Sequence, residues 1–172
     1  MSRILLTLML IPIWETARSQ CNIINRVAAD KTMQYYMEPV TFYQSARMSL
    51  KGCIVTDKEN YFLELYPQPF PEKPGGNKLK GDALVRLADN NLYKLKNFDS
   101  HYIDNDSTLQ LLYLIGKNDM EPFRHYEVIE VKIDMKGEEG VRTYTFKLHK
   151  RALMDQLSCF LKDEKEKGKA GE

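Results

Sequence analysis

A period of two in the apolar residues runs through most of this chain. Phe42, Ala46, Met48 and Leu50 fall on one side, with Tyr43, Ser45, Arg47 and Ser49 opposite, which predicts a half-buried strand that runs out at Gly52. The run "YFLELY", residues 61–66, reads as a second strand reached through the turn-rich "TDKEN". In "ALVRLADNNLYKLKNF", residues 83–98, two β-rich arms flank Asp89, Asn90 and Asn91. Those residue types tolerate the left-handed backbone of a tight reversal, so a hairpin is expected. "TLQLLYLIG", residues 108–116, is short and almost continuously apolar, the pattern of a central strand covered on both faces. "EVIEVKID" and "VRTYTFKL" alternate strictly and are joined by the polar "MKGEEG", which predicts a second hairpin.

Helical spacing occurs in three places. Ile23, Ile24, Val27, Ala28 and Tyr35 suit one face of an N-terminal helix over residues 22–38, stopped by Pro39. Asp119 is placed to cap a short helix through "MEPFRHY", with Pro122 in its first turn. Leu153, Leu157, Phe160 and Leu161 share a face of a C-terminal amphipathic helix, and the charged residues 163–172 then predict a disordered tail. The expected fold is α+β: an antiparallel sheet of about seven strands with an N-terminal helix and a C-terminal amphipathic helix, in one globular domain over residues 20–162.

One connection breaks the periodicity. Residues 67–81, "PQPFPEKPGGNKLKG", hold four of the seven prolines and three of the nine glycines, a composition that joins neither helix nor sheet ladder. It reads either as a stiff spacer between strands or as a recognition loop presenting Pro67, Pro69, Phe70, Pro71 and Pro74, with Phe70 at its tip.

The first residues, "MSRILLTLMLIPIW", follow one basic residue with an apolar core too short to cross a bilayer, the layout of a secretory signal peptide. Ala17 and Ser19 then suit cleavage after Ser19, so residues 1–19 are expected to be removed. Lipidation of Cys21 is the alternative, but Gln20 and Arg18 stand where a lipid-attachment signal wants small and aliphatic residues. Removing Arg3, Arg18 and Glu15 with the leader leaves basic and acidic residues in equal number, which gives no electrostatic reason to expect nucleic acid. No later stretch is long and apolar enough for a transmembrane helix. Of the three cysteines, Cys53 and Cys159 are the expected disulfide in an oxidising compartment, with Cys21 left free.

Candidate chemistry is sparse. His101, His125 and His149 recur at an interval of 24 without the short local spacing or carboxylate support of a metal site. "DNDSTL" at residues 104–109 begins like a calcium loop but has Leu109 where glycine is needed and Ile115 where a bidentate glutamate is needed. No phosphate-binding loop or nucleophile elbow is present, and Cys53 with His149 is a pair that only the fold can bring together. No catalytic, cofactor-binding or metal-ligating residue is assigned.

The leader followed by Gln20, the small sheet-rich domain and the "LVRLADNN-YKL" hairpin resemble, in layout, the small secreted or periplasmic proteins common in Bacteroidales, a resemblance that implies no activity. The expected function is an exported, non-enzymatic binding domain of the cell envelope or medium, with a protein or glycan partner and no cofactor. The alternative is a carrier that holds a small apolar ligand between the sheet and the C-terminal helix.

Overall fold

The computed structural model describes residues 21–28, 30–70, 81–103, 108–135 and 140–169, with side chains described as far as 162. The elements in chain order are β1 (Ile24–Val27), β2 (Met33–Tyr36), β3 (Val40–Gln44), β4 (Ser49–Thr56), β5 (Tyr61–Gln68), β6 (Ala83–Leu87), β7 (Leu92–Ile103), β8 (Thr108–Ile115), α1 (Met120–His125), β9 (Val128–Asp134), β10 (Val141–Thr145) and α2 (Ala152–Lys169). All ten strands join one antiparallel sheet in the order β1-β2-β4-β5-β8-β7-β6-β9-β10, with β3 on β4. The α+β class and the antiparallel sheet are as the periodicity predicts. The strand count rises from seven to ten because two segments contain reversals that periodicity hides.

The first is residues 22–38, expected as a helix and found as the β1–β2 hairpin. Asp30 Oδ1 accepts the Thr32 N–H at 2.9 Å and Lys31 adopts φ 70°, so the chain turns back where a helix would continue. The apolar residues given to a helical face are not a buried stripe: Val27 is 63% exposed. The second is the strand expected over residues 42–50, which is a hairpin of β3 and β4. Ser45 Oγ accepts the N–H groups of Arg47 and Met48, closing a turn that reads as ordinary alternation. β4 then passes through Gly52, because a Cβ there would collide with the Glu64 carbonyl oxygen on β5. The hairpin around Asn90 forms as predicted, with Asn90 at φ 66°. So do the β9–β10 hairpin, the short helix α1, and β8 between β5 and β7. At the end of the chain, α2 stays helical to Lys169, into the residues where the charge pattern predicts a tail.

The strands from β3 round to β10 form a nearly closed barrel. Its ends meet where Lys147 N and Leu148 N donate to Phe42 O at 3.0 and 3.1 Å, and Phe42 stacks on Phe146 with ring centroids 4.3 Å apart. Inward residues such as Leu63, Leu65, Val85, Leu111, Tyr113, Val131 and Tyr144 fill the interior, and α2 covers it with Leu153, Leu157 and Phe160. β2 and β3 share one edge of β4, pairing with Val55–Thr56 and Ser49–Gly52 respectively, which leaves a gap opposite Cys53 and Ile54. The buried Gln156 of α2 fills it, its Oε1 accepting the Ile54 N–H at 2.7 Å. Gln156→Leu should therefore lower stability by about 1–3 kcal/mol, the cost of a stranded buried amide. Urea unfolding would measure this, and a loss below about 0.5 kcal/mol would mean that the Ile54 N–H finds another acceptor.

Candidate binding cleft on the outer face of the sheet

The sheet face turned away from the barrel core carries a second cluster: Cys53, Val55, Phe62 and Leu112, with Tyr36 and Leu114 against it. Glu64, Tyr66 and Gln110 share the parity of these residues on β5 and β8, so they face the same way. Arg26 on β1 meets Glu64 on β5. Three strand spacings separate β1 from β5, roughly 14 Å in a flat sheet, so the β1–β2 hairpin must fold back over this face to make the contact. On the other side, the β7 register shifts between Asn97 and Asp99. That bulge at Phe98 reverses the parity of the strand and brings Phe98, Asp99 and His101 onto the outer face together.

Glu64 has no solvent exposure and is held by four side chains. Arg26 approaches both carboxylate oxygens, with Nη1 at 3.3 Å from Oε2 and Nη2 against Oε1. Gln110 Nε2 donates to Oε1, the Tyr66 hydroxyl donates to Oε2 at 2.7 Å, and Cys53 Sγ lies 3.4 Å from Oε2. Burial works against the Arg26 cation, but the hydrogen bond and charge of Glu64 outweigh it and hold the guanidinium protonated above its ordinary value. Burial first, and then the Glu64 charge, push the Tyr66 hydroxyl and the Cys53 thiol up. Both groups are therefore fixed as donors, and Cys53 is disfavoured as a thiolate nucleophile.

This network settles the orientation of two amides. Arg26 only donates, so the Nε contact of 3.0 Å is to Gln34 Oε1, which leaves Gln34 Nε2. Glu64 only accepts, so Gln110 presents Nε2 to it and to the Tyr66 oxygen at 3.1 Å, which leaves Gln110 Oε1. Among the described residues, Gln34 Nε2 and Gln110 Oε1 make no further hydrogen bond. Both side chains are buried, and both line an open cleft of about 620 Å³. Its floor includes Gln110 and Leu112, and its sides carry Val27, Asp30, Phe98, Asp99 and His101. Phe98 is 58% exposed and anchored from below by Phe62, ring centroids 4.8 Å apart. His101 Nδ1 lies 3.2 Å from Asp99 Oδ2 without hydrogen-bond alignment. The cleft thus offers one fixed donor, one fixed acceptor, an aromatic platform and a carboxylate rim.

Of the residues singled out from sequence, His101 borders the cleft and Cys53 touches Glu64 beneath it, while the others lie elsewhere. The disulfide joins Cys21 to Cys159, with Cα atoms 5.6 Å apart, and Cys53 is free and buried; the expected Cys53–Cys159 pair does not form. Cys53 is one residue out of phase with Ile54, so its side chain leaves the sheet on the face opposite α2, where Cys159 sits. Pro67, expected in a loop, is the penultimate residue of β5, in register with Leu50. Phe70 is not a free tip: it packs edge-on against Tyr102 at 6.1 Å, while the Pro69 carbonyl accepts a hydrogen bond from Arg142. Pro71 and Pro74, like residues 104–107 of the calcium-like stretch, lie outside the described residues. His101, His125 and His149 sit on β7, on α1 and in the turn before α2, and no three His, Cys, Asp or Glu side chains among the described residues are grouped as metal ligands.

Glu64, Arg26 and the two glutamines escape a one-dimensional reading because each looks like a solvated outward position. The available signal was that β4, β5 and β8 carry apolar residues in both phases, which leaves no solvent face for Glu64 to occupy. Comparison with known proteins finds no matching family model, curated protein or solved structure.

Proposed function

We propose that this chain is an exported, non-enzymatic binding domain whose recognition site is the outer-face cleft. The observation that carries the reading is the pair of buried amides, Gln34 and Gln110, held by the Arg26–Glu64 ion pair with one donor and one acceptor facing the cleft. Both atoms open on the cleft, and a ligand with a neighbouring donor and acceptor pairs with both amides at once, exchanging the water there for two oriented hydrogen bonds. Protein and glycan partners both possess this chemistry. The filled space between the sheet and α2 favours the cleft over an interior apolar-ligand cavity. Export is supported by the leader-like apolar run and by the Cys21–Cys159 disulfide, which belongs to an oxidising compartment. That disulfide also occupies the sulfur a lipid anchor at Cys21 would require. No helix among the described residues is long and apolar enough to cross a membrane.

The test is to titrate the purified protein with mixed oligosaccharides and with mixed short peptides while following backbone amide resonances. One of the two should shift residues at the cleft, and Phe98→Ala should weaken that binding by about tenfold while lowering Tm only slightly, since Phe98 gives up its ring contact with Phe62 but no place in the barrel core. Shifts confined to other surfaces, or binding indifferent to both Phe98→Ala and Gln110→Leu, would overturn the reading.

A further inference from the structure

β1 is the terminal strand of the sheet, and among the described residues nothing pairs with its second edge. The hairpin register determines what that edge offers. Ala28 N donates to Thr32 O, and hydrogen-bonded pairs recur every second residue, at Arg26 with Gln34 and at Ile24 with Tyr36. The N–H and C=O groups of Asn25 and Val27 therefore point away from β2. Exposed edges of this kind are usually guarded by a charge, a proline or a bulge. β1 has one charge, Arg26, and it is turned inward onto Glu64.

This open edge borders the cleft. Val27 lies along one side, Phe98 and Asp99 along the other, and Gln110 beneath. A segment added to β1 would thus lie across Gln34 and Gln110. Each peptide unit carries one N–H and one C=O, which match the free Gln110 Oε1 and Gln34 Nε2, and an extended chain repeats these groups at the spacing of the β1 edge. A saccharide can satisfy the two amides but does not repeat a strand's spacing along Asn25 and Val27. The charge also selects. Glu64 balances Arg26, and Asp30 adds an exposed carboxylate to the rim.

We propose that the cleft binds an extended polypeptide segment bearing a lysine or arginine, which adds to β1 as a further strand while one of its amides is read by Gln34 and Gln110. This rests on the cleft being the recognition site, as proposed above. The strand supplies affinity through its backbone, and the acidic rim sets the preference for a basic side chain.

The probe is a pool of capped pentapeptides with a central lysine flanked by valine and threonine, set beside the same pool N-methylated at alternate residues and beside mixed oligosaccharides. The unmethylated peptides should bind at the cleft and slow hydrogen exchange at Asn25 and Val27 by at least about tenfold, while methylation should weaken binding by a similar factor. Val27→Pro removes one edge donor at a position where proline fits an edge strand, and should weaken peptide binding by about tenfold. The exchange measurement on the unaltered protein needs no variant, so the test survives if Val27→Pro fails to fold. Peptide binding without protection of Asn25 and Val27, or indifferent to methylation, would overturn the strand. Oligosaccharide binding that depends on Gln110, with no peptide binding, would overturn it too and leave the cleft reading intact. If neither pool shifts the cleft residues, both readings fall.

Discussion

Arg26→Met is expected to destabilise the protein by about 3 kcal/mol, at the lower end of the range for breaking a buried ion pair. Glu64 is fully buried, and the substitution leaves its charge facing only the neutral donors Gln110, Tyr66 and Cys53. The lower end applies because the Arg26 side chain keeps 27% of its surface exposed, so part of its charge is already screened by water. The double variant Arg26→Met with Glu64→Leu should recover most of the loss, since an apolar pair carries no desolvation cost. Urea unfolding of the parent, both single variants and the double variant measures the coupling. A single-variant loss under about 1 kcal/mol, or a double variant worse than either single one, would show that the pair does not hold the hairpin. Ligand binding should stay lost in the stable double variant, because both glutamine amides are then free to turn over.

Cys21→Ser should cost about 4–5 kcal/mol by the chain-entropy account of disulfides, or roughly 10–20 °C in Tm. The bridged residues are 138 apart in sequence, so the bond closes almost the whole domain. The β1–β2 hairpin joins β4 through only Tyr35 and Tyr36, and the disulfide ties the segment leading into it to α2. Its loss should therefore loosen the wall of the cleft before the barrel. A non-reducing peptide map should recover Cys21 linked to Cys159. Cys53 should resist alkylation until the protein unfolds, because it is buried and its thiol is pushed up. A Cys53–Cys159 peptide would refute the assignment, and a Cys21→Ser melt within about 3 °C of the parent would refute the energetic claim.

Both expectations concern contacts distant in sequence, and these are the ones periodicity does not carry. Alternation in residues 83–87 and 128–134 and the left-handed-tolerant Asn90 are local properties, and they produced the hairpins they predict. The apolar helical spacing at Ile23, Ile24 and Val27 was equally local and misled, because a turn held by Asp30 and Thr32 interrupts it and β-pairing with β4 covers Tyr35 and Tyr36 instead. Ser45 hid a second reversal in the same way, its hydroxyl supplying turn hydrogen bonds inside an alternating run.

By itself, then, the sequence determined the class of the fold, the phase of most strands and the amphipathic closing helix, since side-chain direction in a strand or helix follows from residue spacing alone. Only the tertiary structure decided which cysteines meet, that Pro67 joins a strand, that Phe70 has a ring to pack on, and that Arg26 reaches past two strands, β2 and β4, to Glu64. Those outcomes depend on sheet order, on the fold-back of the β1–β2 hairpin and on the bulge at Phe98, none of which leaves a periodic trace. The cleft is made where these long-range features converge. Its residues are therefore ordinary polar positions along the chain, and they become a site once the fold gathers them at one cleft and the ion pair fixes the way their amides face.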